Sequence, residues 1–219
     1  MRLVEAITPE QLKPVYDLYF DAFPEIERKP ISLIEEKVAE GTSQVFSIMD
    51  GEEFVGFAMF VIGEKLVLLD FFAIAPEKRC GGYGSKVFPL LMRQYGDKHF
   101  VLEIEDPNAD GLDPEELDAR KRRRAFYLRQ NLVEMSFLID LFGVEMEVLT
   151  DGITLDFPEY HSLIRGVYGP IIDDKILFVK YLDGREGRPM LDGQPYPECY
   201  ADCGLGKCVV EKDGSWIVE

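Results

Sequence analysis

The stretch Arg79-Cys80-Gly81-Gly82-Tyr83-Gly84-Ser85 combines a cation, three glycines and the start of a helical pattern. Before it, Leu66–Ile74 is a nearly continuous apolar run stopped by Pro76, as expected of a strand covered on both faces. After it, Val87, Phe88, Leu91 and Tyr95 fall at helical spacing. Glycine admits positive φ and close backbone approach, so successive N–H groups can converge on one cluster of oxygens. At a helix start those donors lack intrahelical partners, and the macrodipole adds a partial positive charge. Strand, turn and helix together make a site for a phosphate or pyrophosphate. No Gly-Lys-Ser/Thr follows, so this is not a Walker loop. The first glycine of a Rossmann fingerprint would have to replace Arg79 or Cys80.

Other reactive groups are sparse. Asp70 lies on the central strand, and Glu103 and Glu105 share a face of the next one, His99–Ile104 and its acidic end. Cys80 stands near the positive end of a helix, a position that lowers a thiol pKa, but no histidine is close in sequence to act as its base. His99 and His161 have no triad partner in sequence and read as structural residues. Cys199, Cys203 and Cys208 lack an evident fourth ligand for a closed zinc site, so no metal is expected.

The spacing Arg79-x-x-Gly82-x-Gly84 after Ala73-Ile74 resembles the acyl-CoA-binding motif of the GNAT N-acetyltransferase superfamily. The resemblance covers roughly residues 1–150 and leaves 151–219 as a C-terminal extension. It implies an α/β fold with a mixed, mainly antiparallel twisted sheet flanked by helices. It also implies acetyl-CoA as co-substrate, with Phe72, Ala73 and Ile74 along the pantetheine arm and Arg79 to Ser85 around the pyrophosphate. An amide near Ala73 or Ile74 would serve the oxyanion. Phe126-Tyr127 matches a second signature, in which the tyrosine protonates the departing thiolate. Asn131-Leu132 replaces the family's usual glycine-aromatic pair, and asparagine can still close a helix in the left-handed conformation. Arg120 stands where the family often has a pantetheine-binding asparagine. Glu25 and Glu27 fall in the connection that lies over the acceptor site in this family, and would attract an amine. Asp70, Glu103 and Glu105 are the candidate bases, beside a water relay or an acceptor that arrives neutral. The competing reading is a non-catalytic acyl-CoA-binding or protein-interaction module.

Composition narrows the partners. A formal charge of −17 over 219 residues argues against nucleic acid and suits a cationic acceptor, a small amine or a peptide. Met1–Glu5 begins no signal-peptide apolar region and no run approaches a membrane span, so a cytoplasmic protein without membrane contact is expected, with a homodimer left open.

The scaffold follows from local signals. Arg2–Ile7 reads as a strand and Thr8-Pro9-Glu10-Gln11 as a capped helix start, with Leu12, Val15, Tyr19, Ala22 and Phe23 on the core face. A second helix carries Ile31, Ile34 and Val38 and stops at Gly41. Val45–Met49 and Phe54–Ile62 flank an Asp50-Gly51 hairpin turn. Pro89 predicts a kink or a late start in the helix after the glycine turn. Asp113-Pro114-Glu115-Glu116 opens the helix that bears Arg120-Lys121-Arg122-Arg123-Arg124, a basic run available in part for CoA phosphates, with Glu116 placed to close a capping box. Met135–Leu141 and Val144–Leu149 flank a Phe142-Gly143 turn. Asp156–Tyr168 predicts a helix, Ile176–Tyr181 a further strand, and Lys207–Glu211 with Ser215–Val218 a terminal hairpin.

Overall fold

The first strand ends at Glu5, and Thr8 starts the first helix. Its hydroxyl accepts from the Gln11 amide at 3.4 Å while Gln11 Oε1 accepts from the Thr8 amide at 3.0 Å, closing the expected capping box. The structure is a computed structural model, and it describes residues 1–109, 111–141, 144–155, 160, 179–182, 190–191, 194–195, 199–200, 209–212 and 215–218. Two compact units are present, Met1–Val101 and Leu102–Glu219. The fold is α/β, with a mixed and mainly antiparallel sheet and flanking helices.

In the first unit β1 (Arg2–Glu5) leads to α1 (Pro9–Ala22), a single 3-10 turn at Glu25–Glu27, and α2 (Ile31–Ala39). Strands β2 (Ser43–Asp50), β3 (Glu53–Ile62) and β4 (Leu66–Ile74) follow, then α3 (Tyr83–Arg93) and β5 (His99–Glu105), which runs on into the second unit. The strands are ordered β1-β2-β3-β4-β5, antiparallel until β4 meets β5 in parallel. Phe71 and Ala73 join Val15, Tyr19, Phe57 and Met59 in a buried cluster beneath α1 and α2. Phe72, on the opposite face of β4, meets Phe88 of α3 at 6.1 Å between ring centroids. The helices thus cover both faces of the strand, which explains its apolar run.

Two prolines sit inside helices. Pro89 does not delay α3, which begins at Tyr83 and continues through it to Arg93. Pro14 in α1 gave no signal in the sequence pattern; it denies the Glu10 carbonyl its usual donor.

In the second unit α4 (Pro114–Arg129) is followed by β6 (Val133–Leu141), β7 (Val144–Thr150) and β8 (Val179–Leu182), with β6 antiparallel to both β7 and β8. Asp113 caps α4, accepting from the amides of Glu115 and Glu116 at 2.9 and 3.0 Å. Glu116 does not complete the capping box, because Arg120 Nε draws its carboxylate away at 2.8 Å. Asn131 closes the helix at φ 65°, as its side chain permits. Short strands β9 (Met190–Leu191) and β10 (Gln194–Pro195) pair, as do β11 (Cys199–Tyr200), β12 (Val209–Lys212) and β13 (Ser215–Val218). The β12–β13 pairing is the expected terminal hairpin, and β8 takes up part of the expected strand. Tyr160 is helical; the rest of the expected Asp156–Tyr168 helix, the Phe142-Gly143 turn, His161, Cys203 and Cys208 lie outside the described residues.

Gly56 is the tightest point in the sheet. It pairs with Ile74, and a Cβ there would stand 2.3 Å from the Ala73 carbonyl oxygen and 3.1 Å from Ile74 Cα. Backbone atoms cannot step aside cheaply, so Gly56→Ala is expected to destabilise the protein by about 1–3 kcal/mol, read as a lower urea midpoint with an unchanged slope.

Candidate functional site

The end of β4 has an unpaired edge. Its ladder with β5 covers only Leu66↔His99, Val67↔Phe100 and Leu68↔Val101, so from Leu69 to Ile74 that edge has no strand partner among the described residues. On its other edge β4 pairs with β3 throughout, but the register slips: Met59 faces Phe71 and Phe60 faces Leu69, leaving Asp70 as the extra residue of a bulge. Phe72, Ala73 and Ile74 therefore sit on a strand end that one more extended chain could join.

The turn continues from this end. Pro76–Lys78 forms one 3-10 turn, and Arg79 Nε donates to the Ile74 carbonyl at 3.0 Å, fastening the turn to the strand. Cys80 and Gly82 then both adopt left-handed backbone, φ 63° and 73°, and helix α3 starts at the next residue. Among the described residues, the amides of Cys80, Gly81, Gly82, Tyr83, Gly84 and Ser85 have no protein acceptor. The next amide, that of Lys86, returns to the Gly82 carbonyl at 3.1 Å. Cys80, Gly81, Gly82 and Ser85 are exposed, so the donors open to solvent. This is a nest of N–H groups at the positive end of a helix, suited to an oxyanion cluster. Lys78 is already paired with Glu53 at 2.6 Å, and Lys86 lies 5.4 Å from the centre of the Tyr83 ring.

Asp70 is not free to act alone. The bulge turns it toward Lys29, whose ammonium meets Oδ2 at 2.5 Å with both side chains 9% exposed. Lys29 Nζ also lies 5.5 Å from the centre of the Phe71 ring. The Tyr19 hydroxyl holds the same residue by its backbone, accepting from Lys29 N–H at 2.7 Å and donating to its carbonyl at 3.3 Å. Burial, ahead of the nearby Asp70 charge, pushes the Tyr19 phenol well above its ordinary range. Lys29 thus ties the α1–α2 connection to the bulge in β4. No local signal in the sequence marks Lys29, whose partner lies 41 residues away. Glu25 and Glu27 occupy the 3-10 turn of that connection and are exposed.

In the second unit Glu103 accepts from the Tyr160 hydroxyl at 2.6 Å, and Tyr160 is fully buried against Phe137. Glu105 faces two cations, Arg123 in direct contact and Arg120 at 3.6 Å. Arg120 is further held by Glu116 and by the Asp106 carbonyl at 3.1 Å. Arg124 pairs with Glu134 and Glu147. Three of the five basic residues in the run therefore answer carboxylates of their own unit. Tyr127 is the buried residue of α4, and desolvation pushes its phenol up to about 12 against a smaller opposing effect of Arg123. Its hydroxyl stays protonated across the physiological range. No group of metal-ligating side chains occurs among the described residues.

Residues 12–112 match the model of the acetyltransferase (GNAT) family. A GNAT-family acetyltransferase from Bacteroides thetaiotaomicron is 23% identical, with 78% of this chain and 97% of that one covered at a TM-score of 0.58. An aminoglycoside 6'-N-acetyltransferase complexed with coenzyme A is 17% identical, covering 68% and 96% at 0.54. A mutant spermidine N-acetyltransferase from Vibrio cholerae is 13% identical, covering 68% and 91% at 0.52. A search of curated proteins finds no matching relative.

The Lys29–Asp70 pair has a testable weight. Lys29→Met leaves the Asp70 carboxylate buried without its cation, an expected loss of about 3 kcal/mol in urea unfolding. Combining it with Asp70→Leu should recover most of that loss, since the uncompensated charge, rather than a missing contact, is the cause.

Proposed function

We propose that this protein transfers an acetyl group from acetyl-CoA to a primary amine by direct attack. The observation that carries the reading is the run of six acceptorless amides from Cys80 to Ser85, next to the unpaired edge of β4. The donor fits these features in kind: its pyrophosphate supplies oxygens for the amides, and its pantetheine arm carries amide groups able to join a strand edge. Phe72, Ala73 and Ile74 take the arm, and Arg79 to Ser85 the pyrophosphate. A neighbour of the same fold was crystallised with coenzyme A, which supports that choice. The proposed catalytic domain spans 1–150, with an extension beyond it.

Three demands must be met in transfer. As the amine nitrogen bonds to the thioester carbon, charge grows on the carbonyl oxygen, and a β4 amide near Ala73 or Ile74 is the donor for it. As the carbon–sulfur bond breaks, Tyr127 supplies a proton to sulfur. Burial pushes that phenol up to about 12, so it holds its proton until the leaving sulfur takes it. The amine must also lose a proton. Asp70, which meets Lys29, Glu103, which accepts from Tyr160, and Glu105, which meets Arg120 and Arg123, are the candidate bases, beside a water relay or an acceptor that arrives neutral. The acceptor is a small amine or a peptide amine drawn by the acidic surface, with Glu25 and Glu27 on its approach. Neighbours named for aminoglycoside and spermidine acetylation are consistent with that class.

Calorimetric titration with acetyl-CoA tests the donor site. Gly82 has open space around its Cβ position and left-handed backbone, which aspartate and asparagine tolerate. Gly82→Asp is expected to abolish binding by setting a carboxylate among the amides, while Gly82→Asn retains it. Equal loss in both variants, or no wild-type binding at sub-millimolar acetyl-CoA, refutes the site. Tyr127→Phe should lower turnover of a responsive amine by about 100-fold with donor affinity unchanged. Unaltered turnover refutes the acid role, whereas donor binding by the wild type without turnover of any amine favours the non-catalytic module.

A further inference from the structure

Helix α4 is held in an unusual way. Arg120, Arg123, Arg124 and Tyr127 stand at i, i+3, i+4 and i+7, the stripe by which an ordinary helix buries apolar side chains. Here three of the four are guanidinium groups, and each meets carboxylates. On one side Arg120 and Arg123 reach Glu105 of β5. On the other, Arg124 contacts Glu134 of β6 and grips Glu147 of β7 through Nε, 2.9 Å from Oε2 and 3.3 Å from Oε1. Glu147 is only 2% exposed. A buried carboxylate requires its cation, so this contact resists displacement more than a surface pair would. Apolar packing is tolerant of small rotations about a helix axis; a guanidinium shared between two carboxylates is not.

We propose that Arg124, clamped by Glu147 and Glu134, is the positioning residue for Tyr127, one turn further along the same stripe. The clamp sets the rotation of α4 and thereby the direction of the phenol O–H. This rests on the reading of Tyr127 as proton donor, but the geometric part stands apart from it. Misplacing a catalytic group by about 1 Å costs on the order of 100-fold in rate.

Arg124→Lys keeps the charge and loses the fork. In the full chain with 3-fluorotyrosine placed at position 127, the 19F resonance is expected to shift or divide in Arg124→Lys and in Glu147→Gln. Turnover of acetyl-CoA with the best of a panel of primary amines should fall about 10- to 100-fold in kcat, with KM for acetyl-CoA unchanged. In a Tyr127→Phe background the same change should add nothing. Should Arg124→Lys fold poorly, Arg124→Met with Glu147→Leu removes both charges and preserves packing, and its resonance must still move. A resonance identical to wild type in folded variants overturns the clamp, as does a kcat loss that persists undiminished without Tyr127. Unaltered turnover in Tyr127→Phe alone would instead remove the acid role, leaving the resonance to decide the positioning.

Discussion

Every backbone N–H and C=O must find a partner or meet water, and β4 is where that requirement is left open. One edge of the strand is paired with β3 along its length, while the other is released from β5 after Leu68. Release at that point requires something to hold the strand in shape, and the bulge at Asp70 supplies it. The extra residue brings Asp70 and Phe71 to bear on one region, where Lys29 meets the first at 2.5 Å and lies near the ring of the second. Tyr19 fixes the backbone of Lys29, and Tyr19 itself packs on Phe71 at 4.9 Å. The bulge thus brings β4, the α1–α2 connection and the aromatic cluster under α1 to bear on one another.

Much of this scaffold was legible because short-range chemistry dictates it. Thr8 with Gln11, Asp50-Gly51, Gly82 before Tyr83, and Asp113-Pro114 each combine a backbone preference with a side chain that satisfies it within a few residues. Asn131 closing α4 belongs to the same class. What escaped was long-range. Lys29 and Asp70 lie 41 residues apart in sequence, and nothing in either neighbourhood marks them as a pair. Gly56 looks like one more small residue in an apolar strand until the Ala73 carbonyl is placed against it. The arginines of α4 were readable as a stripe, yet a stripe of cations ordinarily faces water, and only the positions of Glu105, Glu134 and Glu147 turn it inward.

The candidate bases show the same limit in sharper form. Sequence places Asp70, Glu103 and Glu105 on strands near a presumed acceptor and cannot rank them, because a carboxylate's capacity to take a proton depends on what else it touches. The structure distinguishes them by their partners: a lysine, a tyrosine, and two arginines. Each of those partners lies remote in sequence, so no local pattern names it.

The proposed binding of an anionic donor by an acidic protein poses an electrostatic conflict. The chain carries 41 acidic and 24 basic residues, and several of the basic side chains are spent on internal carboxylates, in α4 above all. In the proposed site the conflict is resolved by using dipoles in place of free cations. Amides and a helix terminus act over the first few ångströms, where a pyrophosphate would sit, and add no net charge to the surface. The negative field beyond the turn remains intact and still draws a cationic amine. Replacing the amide nest by lysines would strengthen the hold on the donor but cancel part of the attraction for the acceptor. On the proposed reading the glycine turn would hold the donor by short-range dipoles, and the net negative charge would act on the acceptor over a longer range.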